Sequence, residues 1–204
     1  IPHISAYALT VEPNTALDRF IAKEIIPPVN DAQAEADFFE LIERLRIDGY
    51  EHYETSNFAK PGFYSVNNTA YWTGSSYLGI GPSAHSFDGE IRSWNSRNNH
   101  KYISAVNGGV LPIEREQLSL RDKYNEYVMT ALRTKWGISL DQISTRFGEH
   151  YSDYLQKMAQ NHVEEGLLSY DQEMKTLCVS SKGKFLVDGL ASDLFLIELQ
   201  SSNS

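Results

Sequence analysis

The sequence predicts an α/β region followed by a mainly helical region. Three observations carry this. Residues 3–11 (HISAYALTV) form a short apolar-rich run with no polar face, as a buried strand does, including one from a parallel sheet. Phe38, Leu41, Ile42 and Leu45 then follow the i, i+3, i+4, i+7 rule of one buried helix face, and residues 50–55 (YEHYET) alternate. Strand, helix, strand is the repeat of an α/β layer. After Pro112, three helical patterns precede two short strands, the order of a winged helix. A boundary is expected near residue 113, separating 1–113 from 114–204.

The elements follow in order. Glu12-Pro13-Asn14-Thr15 has turn chemistry and ends the first strand. Asn30 or Asp31 is a good N-cap for the first long helix, which runs to Arg46, and Gly49 supplies its stop. Residues 56–74 show little periodicity and are rich in Asn and aromatics. A loop this long in a compact domain is more often functional than idle. Residues 77–87 (YLGIGPSAHSF) read as a strand broken by Gly79, Gly81 and Pro82. Asp88-Gly89 is a turn, and residues 90–95 return as the second arm of a hairpin. Residues 99–106 suit a short helix ending at Gly108-Gly109.

Helices are expected over 118–136, 139–147 and 151–165, with a capping box at Ser139–Gln142 and a stop at Gly166. Residues 167–171 and 176–180 form a ribbon, and a last helix begins at Ser181 and includes the tail.

Composition narrows the function. The 204 residues carry one cysteine, Cys178, so an internal disulfide framework, a four-cysteine zinc site and a cysteine-held iron–sulfur cluster are excluded. A formal net charge of -9 opposes sequence-independent binding to nucleic acid or an anionic membrane. No apolar run is long enough to span a bilayer. The chain opens Ile1-Pro2-His3 without a signal-peptide pattern, as if cut from a longer protein, and with its single cysteine it points to the cytoplasm.

Two local constellations carry little chemistry. Glu51, His52, Tyr53 and Glu54 resemble an acid–base cluster, but strand alternation makes one wet face and one packed face. The third C-terminal helix (YSDYLQKMAQNHVEEG) is acidic, unlike a DNA recognition helix, so a structural or protein-contact role suits it better. His3, His100, His150 and His162 share no metal-ligand spacing.

Three phrases point further: HISAYALTVEPNT (3–15), GYEHYETSNFAKPG (49–62) and NNTAYW followed by YLGIGPSAHSF (67–87). In this order and spacing they resemble the downstream half of the HemN/HemW group of radical S-adenosylmethionine (SAM) proteins, nearer the HemW branch. That group contains the oxygen-independent coproporphyrinogen III oxidases and their haem-chaperone relatives. The resemblance covers essentially the whole chain. It implies the last strand–helix part of a partial TIM-like barrel, then a winged-helix-like region. It also implies SAM and a 4Fe–4S cluster in a full-length parent. The cluster's C-x₃-C-x₂-C ligands are absent here, and Cys178 matches none of them, so this chain alone is expected to be inactive.

By the same resemblance, Leu9 and Thr10 stand at the end of a barrel strand facing SAM. Gly79, Ile80, Gly81 and His85 belong to a loop that approaches the adenine. Asn67, Tyr71 and Trp72 mark the substrate or haem pocket. The implied functions are an oxidase-like protein of porphyrin biosynthesis or, alternatively, a haem chaperone that passes haem to an acceptor protein. One departure stands out. The HemW pattern is H-N-x-x-Y-W, with the histidine proposed as a haem ligand, and this chain has Asn67 there. His52 and His85 are the candidates to replace it.

Overall fold

The structure is a computed structural model describing residues 1–197. It contains two compact units, Ile1–Tyr64 and the chain from Ser65 onward.

The first unit contains β1 (His3–Ser5), α1 (Ala16–Ala22), α2 (Asp31–Ile47), β2 (Glu51–Glu54) and β3 (Asn57–Ala59). Its sheet order is β1-β3-β2, and both pairings are antiparallel. The long first strand is therefore cut to three residues. Ser5 pairs with Asn57, and among the described residues no strand lies beside 7–11, so Tyr7 and Leu9 stay exposed. A strand lasts only as far as a neighbour takes up its backbone groups.

The helix α2 begins as expected, with the Asn30 side chain accepting from the Gln33 N–H. Leu45 is buried, and Phe38, Leu41 and Ile42 are half-buried. Gly49 takes a positive φ of 80°, which a side chain would disfavour. A bulge between His52 and Glu54 breaks the expected alternation, so Tyr53 and Glu54 are both buried. Glu54 accepts from Asn57 Nδ2 at 2.5 Å and from the Ser56 N–H at 3.1 Å, which is structural work at a strand turn. His52 stacks on Phe58 and hydrogen-bonds through Nε2 to the Thr55 carbonyl at 3.0 Å.

From Ser65 the chain forms α3 (Val66–Trp72), β4 (His85–Phe87), β5 (Ile91–Asn95), α4 (Asn99–Asn107) and β6 (Ile113–Gln117). The segment read as one long loop thus holds both β3 and α3. Ser65 caps α3 by accepting from the Asn68 N–H. The hairpin over Asp88-Gly89 forms as expected, and β6, a polar run (IEREQ), adds a third strand in the order β4-β5-β6.

The remainder is α5 (Leu120–Leu132), β7 (Ile138–Ser139), α6 (Leu140–Phe147), α7 (Glu149–Glu164), β8 (Leu168–Asp171) and β9 (Thr176–Val179). A 3₁₀ turn at Lys184–Leu186 then leads into α8 (Val187–Asp193). The sheet order is β7-β9-β8. Ser139 caps α6, and the reciprocal capping box sits one helix earlier, between Ser119 and Asp122. The core packs Tyr124, Val128 and Leu132 of α5 against Ile143, Leu155, Leu177, Leu190 and Leu194. Each such side chain contributes about 1.5–3 kcal/mol through burial. The last helix ends at Asp193, and the part of the expected tail beyond residue 197 lies outside the described residues.

Candidate functional site

The glycine-rich loop is built on its own hairpin. Tyr77 and Phe87 exchange backbone hydrogen bonds at 2.8 and 2.9 Å, closing residues 78–86 into a loop. Gly79 donates its N–H to Ser86 Oγ at 2.9 Å. A Cβ on Gly79 would run into the His85 backbone carbonyl, so this glycine is required by the chain's own backbone. Gly81 has a φ of 102° with open space around its Cβ position. The buried Asn95, on β5, donates its Nδ2 to the Gly81 carbonyl at 2.9 Å and the Gly79 carbonyl at 3.4 Å. Leu78 and Ile80 are left 80% and 86% exposed, as only side chains turned fully to solvent are. His85 is also exposed, with its ring 6.1 Å from that of Trp94.

A second feature brings together two of the pocket residues expected from sequence. Tyr71 and Trp72 end α3 and line a cavity of about 160 Å³ with Tyr77, Phe87, Lys123, Glu126, Tyr127 and Arg146. Tyr71 packs edge-on to Trp72 at 5.0 Å and lies 5.6 Å from Tyr77. The Arg133 guanidinium covers the Trp72 ring at 5.2 Å. Asn67 precedes Tyr71 by one helical turn, so the two share a face of α3. Its carboxamide stands where the HemW pattern has a histidine and carries no imidazole nitrogen.

The cavity's electrostatics are mixed. Lys123 pairs with Glu90, and Arg92 pairs with Glu126. Burial pushes the Tyr77 hydroxyl's pKa up, and nearby Tyr71 adds to the shift. Burial also raises the pKa of Tyr127; its hydroxyl accepts from the Ser139 N–H and its ring lies under the Arg146 guanidinium, and both oppose the rise.

Leu9 and Thr10 belong to the first unit and the glycine-rich loop to the second. Leu9 lines a groove of about 380 Å³ with Val29, Ala34, Phe38 and Leu41, while Thr10 is exposed. Cys178 is half-buried in β9, where desolvation raises its pKa and disfavours a thiolate ligand. Among the described residues, no group of three or more His, Cys, Asp and Glu could hold a metal. These residues do not fit an iron–sulfur cluster. Nor, among the described residues, is any helix long and apolar enough to cross a membrane.

Sequence reasoning missed Asn95, Tyr77, Tyr127 and Arg146. For Asn95 a signal existed, because Asn is uncommon in strands and EIRSWN ends on one. Tyr127 and Arg146 had none, because their approach to Tyr71 is tertiary.

Comparison with known proteins places the chain. The HemN C-terminal domain family model matches residues 118–186. The chain is 32% identical over 197 residues to "Heme chaperone HemW" of Mycobacterium tuberculosis, covering 95% of this chain and 47% of that protein. It is 36% identical over 138 residues to the Escherichia coli protein of that name, covering 65% of this chain and 34% of that one. For the Bacillus subtilis protein the identity is 27% over 188 residues, with 90% and 48% covered. The structure resembles that of coproporphyrinogen III oxidase (HemN) from Escherichia coli, described as a radical SAM enzyme. The TM-score is 0.71 at 20% identity, with 95% of this chain and 48% of that one covered. The chain thus spans about half the length of the curated relatives it matches. These matches agree with the three phrases from which the resemblance was first read, and the chain belongs to the HemN/HemW family as its C-terminal half.

Proposed function

We propose that this chain is the C-terminal half of a HemW-type haem chaperone, a protein that binds haem and passes it to an acceptor protein. The carrying observation is the aromatic cavity beside α3, whose walls include Tyr71 and Trp72 of the family's pocket pattern. The names of the relatives at 32% and 36% identity support chaperone over oxidase. The likeness to the oxidase structure, at 20% identity, speaks only for the fold.

In a full-length parent, an iron–sulfur cluster and SAM would supply radical chemistry. By the family resemblance, this chain's share would be contacts to the adenosine: Leu9 and Thr10 are one candidate segment, and the Gly79, Ile80, Gly81 and His85 loop is another, each proposed by itself. The exposed Ile80 offers apolar surface to a flat base, and Asn95 fixes the loop that carries it. The same proposal includes a cytoplasmic location and a winged-helix-like region over 114–204. The order of α5, α6, α7 and the β8–β9 ribbon supports that region, as does a family match beginning at residue 118. With Asn67 in the histidine position, His85 is the exposed imidazole left nearest the pattern in sequence.

Titrating haem into the protein and following the Soret band tests this reading. We expect saturable binding, with no conversion of coproporphyrinogen III by the full-length parent. Absence of haem binding overturns the reading. So does coproporphyrinogen turnover that depends on SAM and a reductant.

A further inference from the structure

Arg146 lies in the last turn of α6, next to the buried Phe147 that anchors that helix in the core. Its guanidinium carbon lies over two rings, 5.0 Å from the Tyr127 centroid and 5.0 Å from that of Phe147, and Arg146 lines the cavity that Tyr71, Trp72, Tyr77 and Phe87 also line. The other charges there are paired: Lys123 with Glu90, and Glu126 with Arg92. Glu149, one turn further along the chain, bonds to Ser144 Oγ. Among the described residues, Arg146 has no acidic partner. A cation–π contact does not consume the N–H donors of a guanidinium, which form a planar fork that matches a carboxylate.

The cavity's size narrows the ligand. At about 160 Å³ it falls below the roughly 300–1,000 Å³ of pockets that enclose a drug-sized molecule. It has room for a short side arm and not for a macrocycle. Tyr71, which lines the cavity and is 49% exposed, leaves aromatic surface against which a flat ligand can pack.

We propose that Arg146 binds a carboxylate side arm of a flat aromatic ligand, inserted into the cavity between Tyr71, Tyr77 and Tyr127 while the ring system stays at the mouth. This rests on the haem-binding reading above and assigns its anchoring charge, because haem carries two carboxylate arms of that kind. Arg146 is then a selectivity residue: it distinguishes acid from ester.

The test compares haem with haem dimethyl ester, each titrated in the same dilute detergent against the unaltered chain, Arg146→Gln and Arg146→Lys. Arg146→Gln should weaken haem binding by about threefold to tenfold, the modest range expected for an exposed charge. It should leave the ester within about twofold, and Arg146→Lys should recover part of the loss. The haem effect should shrink with added salt. Unchanged haem affinity in Arg146→Gln overturns the assignment, as does an equal loss for haem and its ester, while the haem-binding reading survives both results. Failure of the unaltered chain to bind haem overturns both.

Discussion

Asn95 shows how one carboxamide can add to the backbone bonds that hold a loop. Its side chain is buried and donates two part-buried bonds, to the carbonyls of Gly79 and Gly81, and removing the donor leaves both acceptors without it. We expect Asn95→Ala to cost about 1–3 kcal/mol, read as a lowered urea midpoint. Asn95→Asp, which sets a carboxylate against two carbonyl oxygens, should cost at least as much. An unchanged midpoint in both would mean that the loop is held by other contacts. Gly79 makes the complementary point. An added methyl would meet the His85 backbone, which cannot swing aside as a side chain can. Gly79→Ala should therefore destabilise the hairpin, whereas Leu78→Ala, at a side chain that is 80% exposed, should stay within about 0.5 kcal/mol of the unaltered chain.

At the scale of one element, α5 depends on its first turn. Ser119 accepts from the Asp122 N–H at 3.1 Å, and Asp122 accepts from the Ser119 N–H at 3.2 Å. Ser119→Ala should lower stability by about 1 kcal/mol, the usual worth of an N-cap. The hydroxyl also donates to Asp122 Oδ2 at 2.5 Å and is the largest cause holding that carboxyl below its ordinary 3.8. A lowered folded-state pKa stabilises the protein above the unfolded value, and the gain is lost as pH falls through the folded one. The gap between unaltered chain and variant should thus be full above 3.8 and narrow in acid. Asp122 is well exposed, so this part of the effect is small. Thermal melts of both proteins across that range check it, and a gap that widens in acid would count against the box.

At the scale of the molecule, stability in the second unit is concentrated in one core, where α5, α6, α7 and α8 meet the β7-β9-β8 sheet. Leu155 of α7 is fully buried at its centre. Leu155→Ala should cost about 2–5 kcal/mol through lost burial and a residual cavity, seen as a lower denaturation midpoint. A loss under about 1 kcal/mol would mean that the core collapses to fill the gap. The candidate ligand cavity draws on the same helices, with Tyr127 from α5 and Arg146 from α6. Its geometry therefore depends on that core.

Much of this was legible along the chain, wherever a signal was local. Asn30 caps α2, Ser139 caps α6, and Gly49 and Gly166 end helices at positive φ, because a cap or stop needs only its neighbours within a turn. The hairpin over Asp88-Gly89 formed for the same reason. The strand β6 escaped notice because IEREQ has no apolar face, and only its pairing with β5 makes it a strand. The short α3 escaped because seven residues in an Asn-rich stretch carry too little periodicity to stand out.

Composition and local pattern were enough to establish the longer helices, the hairpin, the absence of cluster-forming cysteines and the three phrases that lead to the family, but not the seven-residue helices α1 and α3. Residue type and short spacing act over a few bonds, and a linear chain displays them directly. Tertiary structure alone decided that the first strand stops at Ser5, because that depends on which backbone lies alongside. It alone decided that Gly79 serves its own hairpin. It alone set the Arg146 guanidinium on Tyr127, in a cavity with Tyr71. Contacts between residues far apart in sequence come from packing of whole elements, which no local pattern encodes.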